Sequence, residues 1–293
     1  MMRIGVLGAG ALGTLFAYNL SSRTSCEVWL LARSPLPNQV SVVDAGTARV
    51  HVSTSPAEPV DLLLVMVKAY ATADALRWAA GAIGPQTVAL TLQNGLGNPE
   101  ALAEALGPER VLAGTTAQGA TLLAPGQVRH GGAGPTHLAP WAPGGLAAAR
   151  AAEVADLLTT AGLPTTVAPD PRPLIWAKLA VNCGINALTA ILRVPNGELL
   201  GRPGARRLME AAAAEAGAVA AAAGITLAED PVERVLQVAR ATAANRSSML
   251  QDVERGRRTE VDAINGAVAE RGRALGVPAP VNAALFDLVR SLS

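Results

Sequence analysis

The chain has 293 residues, enough for about two domains, and half of them are hydrophobic, which supplies a sizeable core and excludes global disorder. Its 24 basic and 23 acidic residues leave a formal net charge of +1, so no basic surplus speaks for a nucleic-acid partner. The basic residues divide into 22 Arg and 2 Lys, Lys68 and Lys178. That bias matters chemically, because of the two residue types only Lys readily gives up its proton when buried.

Short β-type runs alternate with helical stretches through the first half. Arg3–Leu7, Glu27–Leu31, Leu62–Val67, Val88–Leu92 and Val111–Gly114 read as strands, and Leu12–Leu20, Thr72–Ala82 and Pro99–Leu106 read as helices. Continuous apolar strands alternating with helices predict a parallel sheet covered on both faces. From Thr121 to Gly145 the chain turns rich in Gly and Pro, with short runs at Val128–His130 and Thr136–Ala139 that predict a few extra strands. Pro169, Pro171 and Pro173 punctuate the chain and place a domain boundary near Val167–Pro173, dividing it into residues 1–168 and 169–293. Beyond it the pattern is helical, over Leu174–Leu192, Gly204–Ala223, Pro231–Asn245, Glu260–Leu275 and Ala279–Ser293. The expected architecture is an N-terminal Rossmann-type, doubly wound α/β sheet followed by an all-helical domain.

Gly8-Ala9-Gly10-Ala11-Leu12-Gly13 reads GxGxxG, directly after an apolar strand and at the start of an apparent amphipathic helix. This is the context a dinucleotide loop requires. Gly8 allows the tight turn, Gly10 lets a pyrophosphate approach the backbone, and Gly13 lets helix and strand pack closely. About 20 residues beyond Gly13 stands Arg33, where an acid would hold the ribose 2′-hydroxyl of NAD and an Arg favours the 2′-phosphate of NADP. Lys68, after Leu62–Val67, and Asn94, after Val88–Leu92, fall at strand carboxyl ends, where ligands of such sheets bind. The plainer alternatives are a lysine reaching for water and an Asn-Gly turn.

Within the apolar stretch Leu174–Leu192, Lys178, Asn182 and Asn186 recur at i, i+4 and i+8 and form one stripe. Polar groups inside such a helix need partners, whether another helix, water or a ligand. A partly desolvated Lys has a lowered pKa and can act as a general acid. The loop Arg193–Glu198 brings Asn196 after the stripe, and Ser247–Gly266 carries Ser248 and Glu260, while Arg255, Arg257 and Arg258 read as a solvated turn.

Cys26 and Cys183 form no CxxC, and His51, His130 and His137 lack HExxH spacing, which argues against a disulfide framework, structural zinc or any metal site. The opening MMRIGVLGAGAL lacks the charged start of a signal peptide, and charges interrupt the longest apolar runs. A cytoplasmic protein with a small-molecule substrate and neither nucleic-acid nor membrane partner is expected.

GxGxxG at Gly8–Gly13, VKAY at Val67–Tyr70, QNGLGN at Gln93–Asn98, GTTAQGATLLAPGQVRH at Gly114–His130, the K-x3-N-x3-N stripe and SSMLQD…TEVDAING at Ser247–Gly266 follow one another along nearly the whole chain. Together they resemble the ketopantoate reductase (2-dehydropantoate 2-reductase) family. The resemblance implies NADPH-dependent reduction of 2-dehydropantoate to (R)-pantoate, on the route to pantothenate and coenzyme A. It implies Lys178 as the general acid, with Glu260 as its catalytic companion. Asn182, Asn186, Asn196 and Ser248 would hold the substrate carboxylate and hydroxyl, and Asn94 would touch both cofactor and substrate. Gly8 through Gly13 (with Ala9, Ala11 and Leu12), Arg33, Lys68, the backbone at Ala120, and Glu260 would serve NADPH. The rival readings are a reductase of another 2-oxo acid and a catalytically silent dinucleotide-binding regulator. A monomer or a homodimer is compatible with the pattern.

Overall fold

In the computed structural model, which describes residues 1–292, the first half runs β1 (Arg3–Leu7), α1 (Ala11–Arg23), β2 (Glu27–Leu31), β3 (Gln39–Val42), β4 (Gly46–Arg49), β5 (His51–Ser53), β6 (Leu62–Val65), α2 (Thr72–Trp78), β7 (Val88–Thr91) and α3 (Asn98–Leu106). It continues through β8 (Val111–Thr116), β9 (Gly119–Ala124), β10 (Gln127–Gly132), β11 (Thr136–Pro140), α4 (Gly145–Thr160) and β12 (Thr165–Val167). The second half contains α5 (Pro171–Leu192), α6 (Pro203–Ala222), α7 (Pro231–Ala241), α8 (Ser248–Glu254), α9 (Ala267–Leu275) and α10 (Pro280–Arg290). The chain falls into two compact units, Met1–Gln93 with Gly97–Pro171, and Asn94–Leu96 with Arg172–Ser293.

Period-2 geometry explains the apolar strands of the first unit, because successive side chains point to opposite faces. Ile4 and Val6 of β1, Leu62 and Leu64 of β6, and Val88 and Leu90 of β7 enter the core shared with α1 and α4. Their neighbours Leu7, Leu63, Val65 and Ala89 enter the opposite core, shared with α2 and α3. Both faces are dry, so neither alternate position can be polar. The main sheet has the order β12-β11-β8-β7-β6-β1-β2-β5, parallel from β8 through β5 and antiparallel where β11 meets β8. Strand order reverses at β1 and β6, which makes their carboxyl ends the switch point where an open α/β sheet has its crevice.

The extra strands expected near Val128 and Thr136 separate. The Thr136 strand, β11, joins the main sheet, whereas β10 pairs with β9 and β3 in a second sheet of order β4-β3-β10-β9. That sheet explains a departure at α1, which is buried without interruption from Gly13 to Leu20 and so is not amphipathic. Val40, Val42, Ala48 and Val128 cover it on the side away from the main sheet.

The second unit has no strand among the described residues. At its centre α5 contributes Leu179, Cys183, Ile185, Ala187 and Leu188 to one core with residues of α6, α7, α9 and α10. By length and composition α5 is, among the described residues, the one helix able to cross a membrane, with Lys178 interrupting its apolar run as expected. Most of it is buried in the protein, as the central helix of a bundle must be. Proline opens α6, α7 and α10, and Asp230 caps α7 by accepting from the Val232 and Glu233 amides at 2.9 Å. Several boundaries differ from expectation, α5 beginning already at Pro171. The helix from Pro231 ends at Ala241, the helix expected from Glu260 begins as a π-turn at Asp262–Gly266, and that expected over Ala279–Ser293 ends at Arg290, with Ser293 outside the described residues.

The turn between β1 and α1 needs glycine at two of its three glycine positions for steric reasons. Gly8 has φ +113°, and a Cβ there would lie 2.8 Å from Val67 Cγ1. A Cβ on Gly13 would overlap the Gly8 carbonyl oxygen, whereas one on Gly10 would meet nothing within 4 Å. Gly13→Ala is therefore expected to destabilise the fold by at least about 2 kcal/mol in denaturant titration, while Gly10→Ala leaves the midpoint unchanged.

Candidate active site

Residues of the expected cofactor site gather at the switch point of the first unit. The amide of Gly8 donates to the Leu31 carbonyl and that of Met66 donates to Leu7, so the ends of β1, β2 and β6 lie side by side. Gly10 precedes the first turn of α1 without a side-chain cap, and that turn carries no acidic residue. Backbone N–H groups at an uncapped helix start, beside a glycine with open space over it, suit a pyrophosphate. Arg33 is exposed just past β2, and Lys68 is half-buried just past β6. Ala120 lies on β9, opposite His130, in the second sheet.

A residue that sequence reasoning overlooked organises these strand ends. Gln93 donates through Nε2 to the Val67 carbonyl at 2.7 Å and to Thr72 Oγ1 at 2.9 Å, and accepts from Thr91 Oγ1 at 2.8 Å. Thr72 in turn donates to Asn98 Oδ1. The lone signal for this clamp was its place between an apolar strand and an Asn-Gly turn.

Asn94 belongs with the helical unit. The amide of Leu96 donates to the Ala263 carbonyl at 2.9 Å, and Gly95, at φ +84°, leaves no room for a Cβ beside that carbonyl. Ala263 lies in the π-turn that follows Glu260, whose own carbonyl accepts from the Ala263 and Ile264 amides. Such turns shift helix register locally and recur at functional sites. Here Asn265 anchors the turn, donating to the Cys183 carbonyl of α5 at 3.1 Å and to Asn282 Oδ1 at 3.0 Å. Asn282 donates onward to the Ala212 carbonyl and to Glu215.

On α5 the stripe divides by environment. Lys178 is half-buried, and Glu260, only 7% exposed, is the carboxylate whose charge acts on it. Burial lowers the Lys178 pKa from 10.5 to about 8, and attraction to Glu260 opposes that fall. One turn on, the Asn182 amide nitrogen is buried with no hydrogen-bond partner. Asn186 is buried, and the adjacent Cys183 is a core thiol whose pKa burial drives upward, away from nucleophilic use.

Asn196 is 7% exposed and stands at the start of the short turn Asn196–Leu199, with its Nδ2 donating to Thr242 Oγ1 at 2.9 Å and its Oδ1 unpartnered. Ser248 is exposed, in the first turn of α8. Its neighbour Ser247 caps that helix by accepting from the Leu250 amide, and also accepts from Thr189 Oγ1 of α5 at 2.7 Å. The sequence placed a small hydroxyl here; the buried connection to α5 runs through Ser247. The unit thus contains an ammonium of lowered pKa, a buried unpartnered amide nitrogen one turn further along α5, and a buried unpartnered carbonyl oxygen at Asn196.

With only two lysines in the chain, [13C]Lys-labelled protein should give two Cε signals, one titrating near pH 8. Glu260→Gln removes the charge that favours the ammonium, so the midpoint of that signal should fall further. An unchanged midpoint would show that Glu260 exerts no hold on Lys178.

Two family models, described as ketopantoate reductase PanE/ApbA and its C-terminal part, match residues 4–143 and 170–293. A 2-dehydropantoate 2-reductase of Halobacterium salinarum is 42% identical over 300 residues, covering 99% of this chain and 98% of that one. The crystal structure of 2-dehydropantoate 2-reductase from Geobacter metallireducens is similar with a TM-score of 0.92 at 31% identity, over the full length of both chains. D-mandelate dehydrogenase in ternary complex with NADH and anilino(oxo)acetate is similar with a TM-score of 0.90 at 27% identity, covering 99% of this chain and 98% of that one. Matches to both family models, joined to full-length identity above two-fifths, make this chain an oxidoreductase of the ketopantoate reductase family.

Proposed function

We propose that the protein reduces 2-dehydropantoate to (R)-pantoate with NADPH. The observation that carries this reading is Lys178, an ammonium with a pKa near 8 on the same helical stripe as the unpartnered Asn182 amide nitrogen. When bound, the dinucleotide supplies a hydride to the C2 carbonyl carbon. Lys178 Nζ donates its proton to the carbonyl oxygen as negative charge develops there, and a pKa near 8 suits that transfer at neutral pH. Glu260 keeps the lysine protonated against the desolvation that favours loss of its proton.

The unpaired groups sort the remaining contacts. Asn182 Nδ2 can only donate, so it suits the substrate carboxylate or carbonyl. Asn196 Oδ1 can only accept, so it suits the substrate hydroxyl and not a carboxylate. Asn94, Asn186 and Ser248 complete the proposed substrate contacts. On the first unit, the Gly8–Gly13 turn would hold the pyrophosphate, Arg33 the 2′-phosphate, and Lys68 a ribose or phosphate oxygen. The backbone at Ala120 and the Glu260 carboxylate would complete the cofactor contacts.

The similarity to a mandelate dehydrogenase raises a second reading, reduction of a 2-oxo acid without a hydroxyl, using NADH. The Asn196 acceptor and the cation at Arg33 favour the first reading over it.

Lys178→Ala should lower kcat by about 100-fold or more, followed as NADPH oxidation at 340 nm with 2-dehydropantoate. A loss confined to KM would contradict the acid role. Because the protonated lysine is the reactive form, kcat/KM should fall with one-proton slope as pH rises through about 8. Arg33→Ala should raise the KM for NADPH sharply and leave NADH kinetics nearly unaltered; equal losses with both would remove the assignment of the 2′-phosphate.

A further inference from the structure

Asn196 owes its orientation to a residue outside the substrate contacts proposed above. Thr242, half-buried just after α7, has a single hydroxyl proton, and Oγ1 donates it to the Val238 carbonyl at 2.7 Å. Toward Asn196, 2.9 Å away, that oxygen can therefore only accept, so the amide must present Nδ2 to it. A flipped amide would set two lone-pair oxygens against each other. Asn196 cannot escape the constraint by shifting its backbone. Its amide donates to the Asn245 carbonyl and that of Gly197 donates to Ala243, each at 3.0 Å. A Cβ on Gly197 would already lie 2.5 Å from Ala243 Cβ, so this turn packs directly against the chain that follows α7.

We infer that Thr242 is a positioning residue for substrate choice, holding Asn196 so that its buried oxygen faces the ligand and selects a 2-oxo acid bearing a hydroxyl donor. This inference rests on the reaction proposed above. A buried acceptor left unpaired is costly, so a ligand lacking the hydroxyl forfeits binding that the hydroxylated one gains. Thr242→Val keeps the side-chain volume and removes the hydroxyl that dictates the orientation, whereas Thr242→Ser retains it.

The test compares kcat/KM for 2-dehydropantoate and for its deoxy analogue, 3,3-dimethyl-2-oxobutanoate, with NADPH as reductant. Preference for the hydroxylated substrate should fall at least about tenfold in Thr242→Val, chiefly through KM, and return in Thr242→Ser. An unchanged ratio, or equal losses on both substrates, would overturn the inference, the latter marking Thr242 as merely structural. Hydrogen exchange of the Asn196 side-chain amide, followed by NMR without substrate, reads the positioning alone: protection should be lost in Thr242→Val and kept in Thr242→Ser. Protection that survives in Thr242→Val overturns the inference whatever the kinetics. A wild-type enzyme with no preference for the hydroxylated acid, but with Thr242-dependent amide protection, would instead overturn the reaction assigned above.

Discussion

An ammonium taken partly out of water is the constraint around which the helical unit is built. Lys178 lies on a mostly apolar helix, and its burial favours the neutral amine. Glu260 opposes that preference, and the balance leaves the group near pH 8 instead of 10.5. Neither effect works without the bundle. The apolar residues that the bundle packs around α5 keep water from restoring the ordinary pKa.

The backbone beside the carboxylate that acts on that lysine departs from an α-helix. The π-turn at Asp262–Gly266 follows Glu260 directly, and Asn265 ties it to the Cys183 carbonyl on α5. Through Asn282 the tie continues to Glu215, which also caps the start of α10 by accepting from the Val281 and Asn282 amides. Acid, turn and surrounding helices form one hydrogen-bonded set, which suits a site whose groups must be rigid before the substrate arrives. The first unit solves a different problem. Its loop leaves open space over Gly10, while Gly8 is crowded by the chain leaving β6 and Gly13 by the Gly8 carbonyl.

Much of this was legible in order along the chain. The strands at Arg3, Glu27, Leu62, Val88 and Val111 announced themselves because both faces are buried and their runs are therefore wholly apolar. The strands β3, β4 and β5 did not, being three or four residues long and partly exposed, which leaves too little pattern to read. The helix α4 followed a Gly- and Pro-rich stretch that drew the reading toward strands, and α8 hid within a polar segment. Gln93, Thr189, Thr242 and Asn265 escaped notice because each acts through a partner 21 to 82 residues away.

The sequence by itself determined the two-part layout, the glycine loop, the cation after the second strand, and a lysine and two asparagines on one helical face. It did so because these depend on local periodicity and spacing, which a linear chain records directly. The tertiary structure alone decided how far the Lys178 pKa falls, that Ser247 rather than Ser248 meets α5, and which atom of Asn196 is left unpaired. Desolvation depends on what other segments cover a group, and an amide's orientation on who has already taken the facing proton. Those quantities belong to neighbours distant in sequence, and folding is what brings them into contact.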